Sequence, residues 1–270
     1  MTVHRTLLYV PADRIDTYWA SAVASGVDAV ILDLEDAVAP SAKELARIAL
    51  RRHLATRPAG PEMLVRVNSG DLLAADLADL AEHPDLTIML PKADVSALDA
   101  LDTLTAAAPR PVVALLETAA GIADLARLAR HPSVVRLAMG EADLRADLGL
   151  GADAEHALWP IRMQVVIASR VGDLLPPVAP ASTDWRDLDA LRMSSARLRD
   201  AGFGGRTAIH PAQVATIGEV FRPSEADVAA ARRLVERYEA AVATGSGVCT
   251  DDDGRMIDEA VVRSARRLLD

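Results

Sequence analysis

Four charged residues each follow a short apolar run: Arg66 in MLVRVN, Lys92 in TIMLPK, Glu117 in VVALLET and Asp143 in RLAMGEAD. They stand 26, 25 and 26 residues apart. Glu117 and Asp143, with no His or Cys cluster nearby, suit a hard cation such as Mg²⁺ or Mn²⁺ whose shell is completed by water and substrate oxygens. The same carboxylates would serve equally as helix N-caps or ion-pair partners. Arg66 lies between Val65 and Val67, where an unpaired guanidinium would be costly. It could clamp a carboxylate or keto oxygen in bidentate fashion, or form an ion pair with Glu35 or Asp36, and the two readings can coexist. Lys92 invites a Schiff-base role. The favoured reading is a structural partner of a strand-end carboxylate, because a metal pair makes an imine unnecessary.

Other candidates rest on less. Gly140, Glu141, Ala142 and Asp143 offer backbone N–H groups at a helix start that could hold an anionic carboxylate. His210, before Pro211, could be an acid/base or a donor behind the site, or simply structural. Asp258 is an acid/base candidate if the C-terminal tail covers an active site, and an N-cap otherwise. Arg5, Arg14 and Lys43 flank the first two strand-helix units, where they could meet phosphates or stay solvated.

The spacing of the charged residues is the length of a strand, a turn, a helix and a return loop. Runs apolar on both faces are expected of buried parallel strands. Such strands are expected at Thr6–Pro11, Asp28–Leu34, Met63–Asn68, Thr87–Leu90, Val112–Thr118, Val134–Met139, Leu174–Ser182 and Gly204–Pro211. Helices are expected between them, over Asp13–Ser25, from a Ser41/Glu44 capping box to about Arg57, over Asp71–Glu82, Val95–Ala107, Gly121–Arg130, His156–Val171 and Asp187–Ala201. The stretch GEADLRADLGLGADAE reads as a long loop. Eight alternations predict an α/β fold, a (β/α)8 barrel over residues 1–221, with chemistry at the carboxyl ends of the strands. A doubly wound open sheet is the alternative, but no G-x-G-x-x-G follows the first strand. Residues 222–270 form a helical extension: a helix over Glu225–Ala243, a flexible acidic linker over Gly245–Gly254, and an amphipathic helix over Ile257–Leu269. The extension is either a packing element or a lid or arm onto a neighbouring subunit.

A chain of 270 residues, half of them apolar, can bury one large core. Its net charge of −10 argues against nucleic acid or an anionic membrane surface as a partner. The single Cys249 leaves no disulfide framework. Without a signal peptide or a long apolar run, the chain is expected to be soluble and cytoplasmic. Only Lys43 and Lys92 among 29 basic residues are lysines, a skew that points to codon bias more than to function.

Taken together, RTLLYVPADR, GVDAVILDLEDAVAPSAKELAR, VRVN, IMLPKAD, ALLETAAGI, LAMGEADL, GGRTAIHPAQV and GRMIDEAVV resemble the citrate lyase beta subunit-like proteins of the malyl-CoA lyase and HpcH/HpaI aldolase superfamily. The stretches occur in family order across nearly the whole chain, and LDLEDAVAP is the most specific. The resemblance implies a (β/α)8 (TIM) barrel, usually trimeric, that makes or breaks a carbon–carbon bond in 3-hydroxyacyl-CoA thioesters with Mg²⁺. It makes Glu117 and Asp143 the metal ligands and Arg66 the residue that binds the 2-oxo acid. Asp258, lent by a neighbouring subunit, becomes the acid/base. Glu35 and Asp36 become acidic groups behind the site that orient metal waters and Arg66. It places Arg14 and Lys43 near the CoA moiety, and the backbone of Gly140, Ala142 and Asp143, read above as an anion-holding turn, joins Arg66 and Glu117 in the expected substrate-binding set. A CoA-independent class II pyruvate aldolase, the beta subunit of a multi-subunit citrate lyase and a barrel that has lost turnover are the alternatives. The acyl group and the 2-oxo acid are left open.

Overall fold

The computed structural model describes residues 3–56, 58–151 and 153–269. Eight parallel strands close into a barrel in sequence order: β1 Thr6–Pro11, β2 Ala29–Asp33, β3 Glu62–Arg66, β4 Thr87–Leu90, β5 Val112–Leu116, β6 Val134–Met139, β7 Leu175–Ala179 and β8 Gly205–Ala208. β1 pairs with β8 through Thr6 and Arg206, which completes the closure. Around the barrel run α1 Ile15–Ala24, α2 Lys43–Thr56, α3 Leu73–Asp79, α4 Val95–Leu104, α5 Ala119–Ala123, α6 Leu125–Leu128, α7 Glu141–Asp147, α8 Glu155–Val171, α9 Leu188–Ala201 and α10 Ala212–Phe221. The fold is the expected (β/α)8 barrel.

Two apolar layers follow from the two-residue period of the strands. Leu8, Val10, Val30, Leu32, Val65, Ile88 and Leu90 face outward and pack with the helices. Leu7, Ala29, Ile31, Leu64, Met89, Val113, Leu115, Ala138 and Val178 face inward and fill the barrel, with Tyr9 against them. Extending four of the inward rows by two residues reaches Asp33, Arg66, Glu117 and Gly140. The polar residues are therefore the top layer of the barrel's own interior.

Local signals set three of the barrel's helix starts. The side chains of Asp94, Thr118 and Asp187 accept hydrogen bonds from the first turns of α4, α5 and α9. Gly202 ends α9 at φ 108°, a left-handed conformation open to glycine at little cost.

Several expectations are corrected. Ser41 does not cap α2; it sits inside a 3-10 turn, Pro40–Ala42, whose first position is the φ-restricted Pro40. The expected end of that helix at Arg57 lies outside the described residues. The helix expected over Gly121–Arg130 is two short helices, α5 and α6, meeting at Asp124. The loop after β6 contains α7, so Asp143 is a first-turn helical residue and does not close a strand. The chain after β8 forms α10, whose largely buried apolar residues pack in the outer layer.

Residues 222–270 form a second compact unit. It holds α11 Glu225–Ala243, a short antiparallel hairpin of β9 Cys249–Thr250 and β10 Met256–Ile257, and α12 Glu259–Leu269. The stretch expected as a flexible linker thus supplies one hairpin strand. Tyr238, Ile257 and Val262 form the unit's core. Ser224 and Asp227 make a reciprocal capping box at the start of α11. Among the described residues no helix is long and apolar enough to cross a membrane.

Candidate active site

Strand register builds the centre of the site. Asp33 and Arg66 are direct neighbours across β2 and β3. Arg66 Nε donates to Asp33 Oδ1 at 2.7 Å and Nη2 to Asp33 Oδ2 at 2.6 Å, a two-pronged pair with the carboxylate wholly buried. Arg66 Nη1 lies 3.0 Å from Glu35 Oε2, and the guanidinium sits over the Tyr9 ring at 4.8 Å. Burial works against the charge on Arg66, but the hydrogen bonds to Asp33 and the charges of the groups around it together outweigh burial and hold its pKa above the usual value. Of the five guanidinium N–H groups, two donate to Asp33, while Nη1 is ion-paired with Glu35 without a hydrogen bond.

A chain of charges continues from there. Lys92 Nζ donates to Glu35 Oε1 at 2.5 Å and lies 3.9 Å from Glu117 Oε1. The Lys92 backbone N–H also donates to Glu117 Oε1, at 2.8 Å. Glu117 is 2% exposed. Burial, with Glu35 and Asp143 repelling a negative charge, pushes its carboxyl up to about 7. Burial likewise raises Glu35. Gly140 makes room for Glu117, since a Cβ there would lie 2.5 Å from Glu117 Oε2.

Asp143 reaches the same place by another route. Arg162 of α8 grips Glu141 with two hydrogen bonds of 2.6 and 2.7 Å, and Asp147 accepts from the Ala119 N–H at 2.6 Å. Both ends of α7 are thereby tied down, with Asp143 half-buried in its first turn.

Arg66, Glu35, Lys92, Glu117, Asp143 and Gly140 therefore gather at the carboxyl end of the barrel. Lys92 takes its structural reading, the partner of strand-end carboxylates. Asp36 is exposed, and the ion pair considered for it with Arg66 is made by Asp33 and Glu35 instead. Lys43 turns its ammonium to the carbonyls of Leu34 and Glu35, at 2.6 and 2.7 Å, which shapes the loop after β2. Arg14 is largely exposed after β1. The Gly140 N–H donates to Leu116 O, so it is engaged within the barrel. Asp258 caps α12 through the Val261 N–H at 3.0 Å and belongs to the second unit. His210 accepts from the Ala212 N–H and stacks on Trp185 at 4.0 Å. Asp33 and Tyr9 escaped the sequence reading as site residues. Counting two residues past Ile31 and Leu7 along the inward rows finds both.

The donor set fits a hard dication. Four carboxylates, Asp33, Glu35, Glu117 and Asp143, gather here with two cationic side chains, Arg66 and Lys92, so added positive charge is favoured. Among the described residues no three His, Cys, Asp or Glu side chains converge closely enough to hold a metal alone. A cation here would rest on two carboxylates and take its other ligands from water and substrate, as Mg²⁺ does.

Fold and site define a (β/α)8-barrel protein with carboxylates and a buried arginine gathered at its mouth. The family model for HpcH/HpaI aldolase/citrate lyase matches residues 5–211, and the chain belongs to that family. Among its relatives, a (3S)-malyl-CoA thioesterase of Cereibacter sphaeroides is 34% identical over 269 residues, covering 98% of this chain and 93% of that one. An L-malyl-CoA/beta-methylmalyl-CoA lyase of the same species is 33% identical over 300 residues, with the same two coverages. A citrate lyase subunit beta-like protein of Mycobacterium tuberculosis is 34% identical over 272 residues, covering 97% and 93%. The crystal structure of M. tuberculosis CitE with magnesium, acetoacetate and coenzyme A superposes with a TM-score of 0.81 at 32% identity, covering 99% of this chain and 97% of that one.

Proposed function

We propose that the protein cleaves, or in reverse forms, the carbon–carbon bond of a 3-hydroxyacyl-CoA thioester of the malyl, citramalyl or citryl type. The products are a 2-oxo acid and an acyl-CoA, and Mg²⁺ is required. The observation that carries this reading is the juxtaposition of a buried, carboxylate-locked Arg66 with Glu117 and Asp143 at one barrel mouth.

Glu117 and Asp143 would hold the cation, which when bound polarises the substrate's keto or hydroxyl oxygen and offsets the site's negative charge. Arg66 orients the 2-oxo acid through N–H groups not engaged by Asp33, which keeps the guanidinium in place. Tyr9 and Met89 wall the barrel beneath it. In the direction of condensation, Asp258 takes a proton from the acyl-CoA α-carbon. The carbanion attacks the keto carbon, and the keto oxygen takes up a proton to become the hydroxyl. Cleavage runs the same steps backwards. In this reading Asp258 comes from a neighbouring subunit of a homotrimer, Arg14 lies along the CoA path, and the enzyme works in the cytoplasm.

Hydrolysis of the same thioester is the second reading, favoured by the near full-length match to a thioesterase. One assay separates the two. The purified chain is given malyl-, citramalyl- and citryl-CoA with and without Mg²⁺, and 2-oxo acid and free thiol are followed together. The expected result is Mg²⁺-dependent 2-oxo acid without free thiol, lost by at least about 100-fold in Glu117→Gln and Asp143→Asn. Free thiol without 2-oxo acid would establish the hydrolytic reading. Activity confined to CoA-free aldols would overturn both.

A further inference from the structure

Lys92 pairs with both Glu35 and Glu117, and its backbone is strained to do so. Its φ is 47°, in the left-handed region that a side chain with a Cβ enters only at a cost. That conformation points the N–H at Glu117 Oε1 while the side chain reaches Glu35 Oε1. Glu35 is thus held from two sides, by Lys92 on Oε1 and by Arg66 on Oε2. It is 5% exposed, so it has no escape into water. Without Lys92, Glu35 Oε1 would be a spare anionic oxygen close to Glu117, with which it already shares the Lys92 ammonium.

We propose that Lys92 is a positioning residue that keeps Glu35 on Arg66 and away from the cation, so that only Glu117 and Asp143 serve as protein ligands and the remaining coordination places stay open to substrate. The inference rests on the function proposed above. Its physical content is a sign. Removing the ammonium takes a repelling charge from beside the cation and releases an attracting one, and both changes tighten cation binding. Turnover falls at the same time, because a protein oxygen takes a place that substrate needs. A residue that merely supported the fold would weaken binding and turnover together.

The test uses Lys92→Met, which keeps the chain length and the same left-handed strain, and Lys92→Arg, which returns the positive charge. Mn²⁺ serves as the probe, with affinity read by electron paramagnetic resonance and bound water by proton relaxation. The expected result for Lys92→Met is binding several-fold tighter, with fewer exchangeable waters on Mn²⁺, and turnover lower by about 10- to 100-fold. Lys92→Arg should move affinity and relaxation back toward the parent. Unchanged or weaker Mn²⁺ binding in a Lys92→Met chain that melts like the parent would overturn the proposal. Failure of the parent chain itself to bind Mn²⁺ would instead overturn the proposed function, and this inference with it.

Discussion

At the scale of single residues, the site is an arrangement of charges that would be unstable without one another. Arg66 is tolerable in the barrel because Asp33 and Glu35 face it, and Glu117 because the Lys92 backbone N–H donates to it and the Lys92 ammonium lies nearby. Gly140 has a steric share in this. Its position is the inward-facing one next to Glu117, and the absent Cβ is the space that Glu117 Oε2 occupies. Gly140→Ala is expected to push Glu117 aside and weaken Mn²⁺ binding by about 10- to 100-fold. A titration of the variant against the parent would show it, and equal affinities would mean that Glu117 is placed by something other than this gap.

Elements matter because one of the two proposed cation ligands does not follow a barrel strand. Glu117 follows β5 directly, whereas Asp143 rides on α7, seven residues long and held by contacts at its two ends. Arg162, 4% exposed and paired with Glu141 and Glu155, is the anchor on the α8 side. Arg162→Met leaves Glu141 without its buried partner. A loss of about 3 kcal/mol is expected from breaking such a pair, together with weaker Mn²⁺ binding as α7 loosens. Denaturant unfolding and the Mn²⁺ titration would be run on the same preparation. A variant that loses stability but keeps full Mn²⁺ affinity would show that Asp143 does not depend on this anchor.

On the scale of the molecule, the barrel and the C-terminal unit have separate cores. The candidate acid/base Asp258 lies in the second unit, while Arg66, Glu117 and Asp143 lie in the first. If Asp258 is lent by a neighbouring subunit, two inactive variants can complement each other. Asp258→Asn and Glu117→Gln, each inactive alone, should regain a fraction of parental turnover when co-expressed, because some mouths then combine a parental barrel with a parental Asp258. Mixed oligomers that form yet stay inactive would place Asp258 on its own barrel, or outside the chemistry.

What the sequence by itself determined was the periodic part. Apolar runs at nearly constant intervals specify parallel strands, and charged residues at their ends mark one face of a barrel, since burying the run leaves its polar end at the rim. Motif resemblance then singled out Arg66, Glu117 and Asp143. Only the tertiary structure decided how those charges are shared. That Asp33 rather than Asp36 holds Arg66 depends on the register between β2 and β3. That Gly140 must lack a side chain depends on the approach of β5 to β6. That Lys92 bridges Glu35 and Glu117 depends on a left-handed turn at one residue. These are contacts between residues distant along the chain, and the spacing of residues along a chain carries no record of which side chains closure brings face to face.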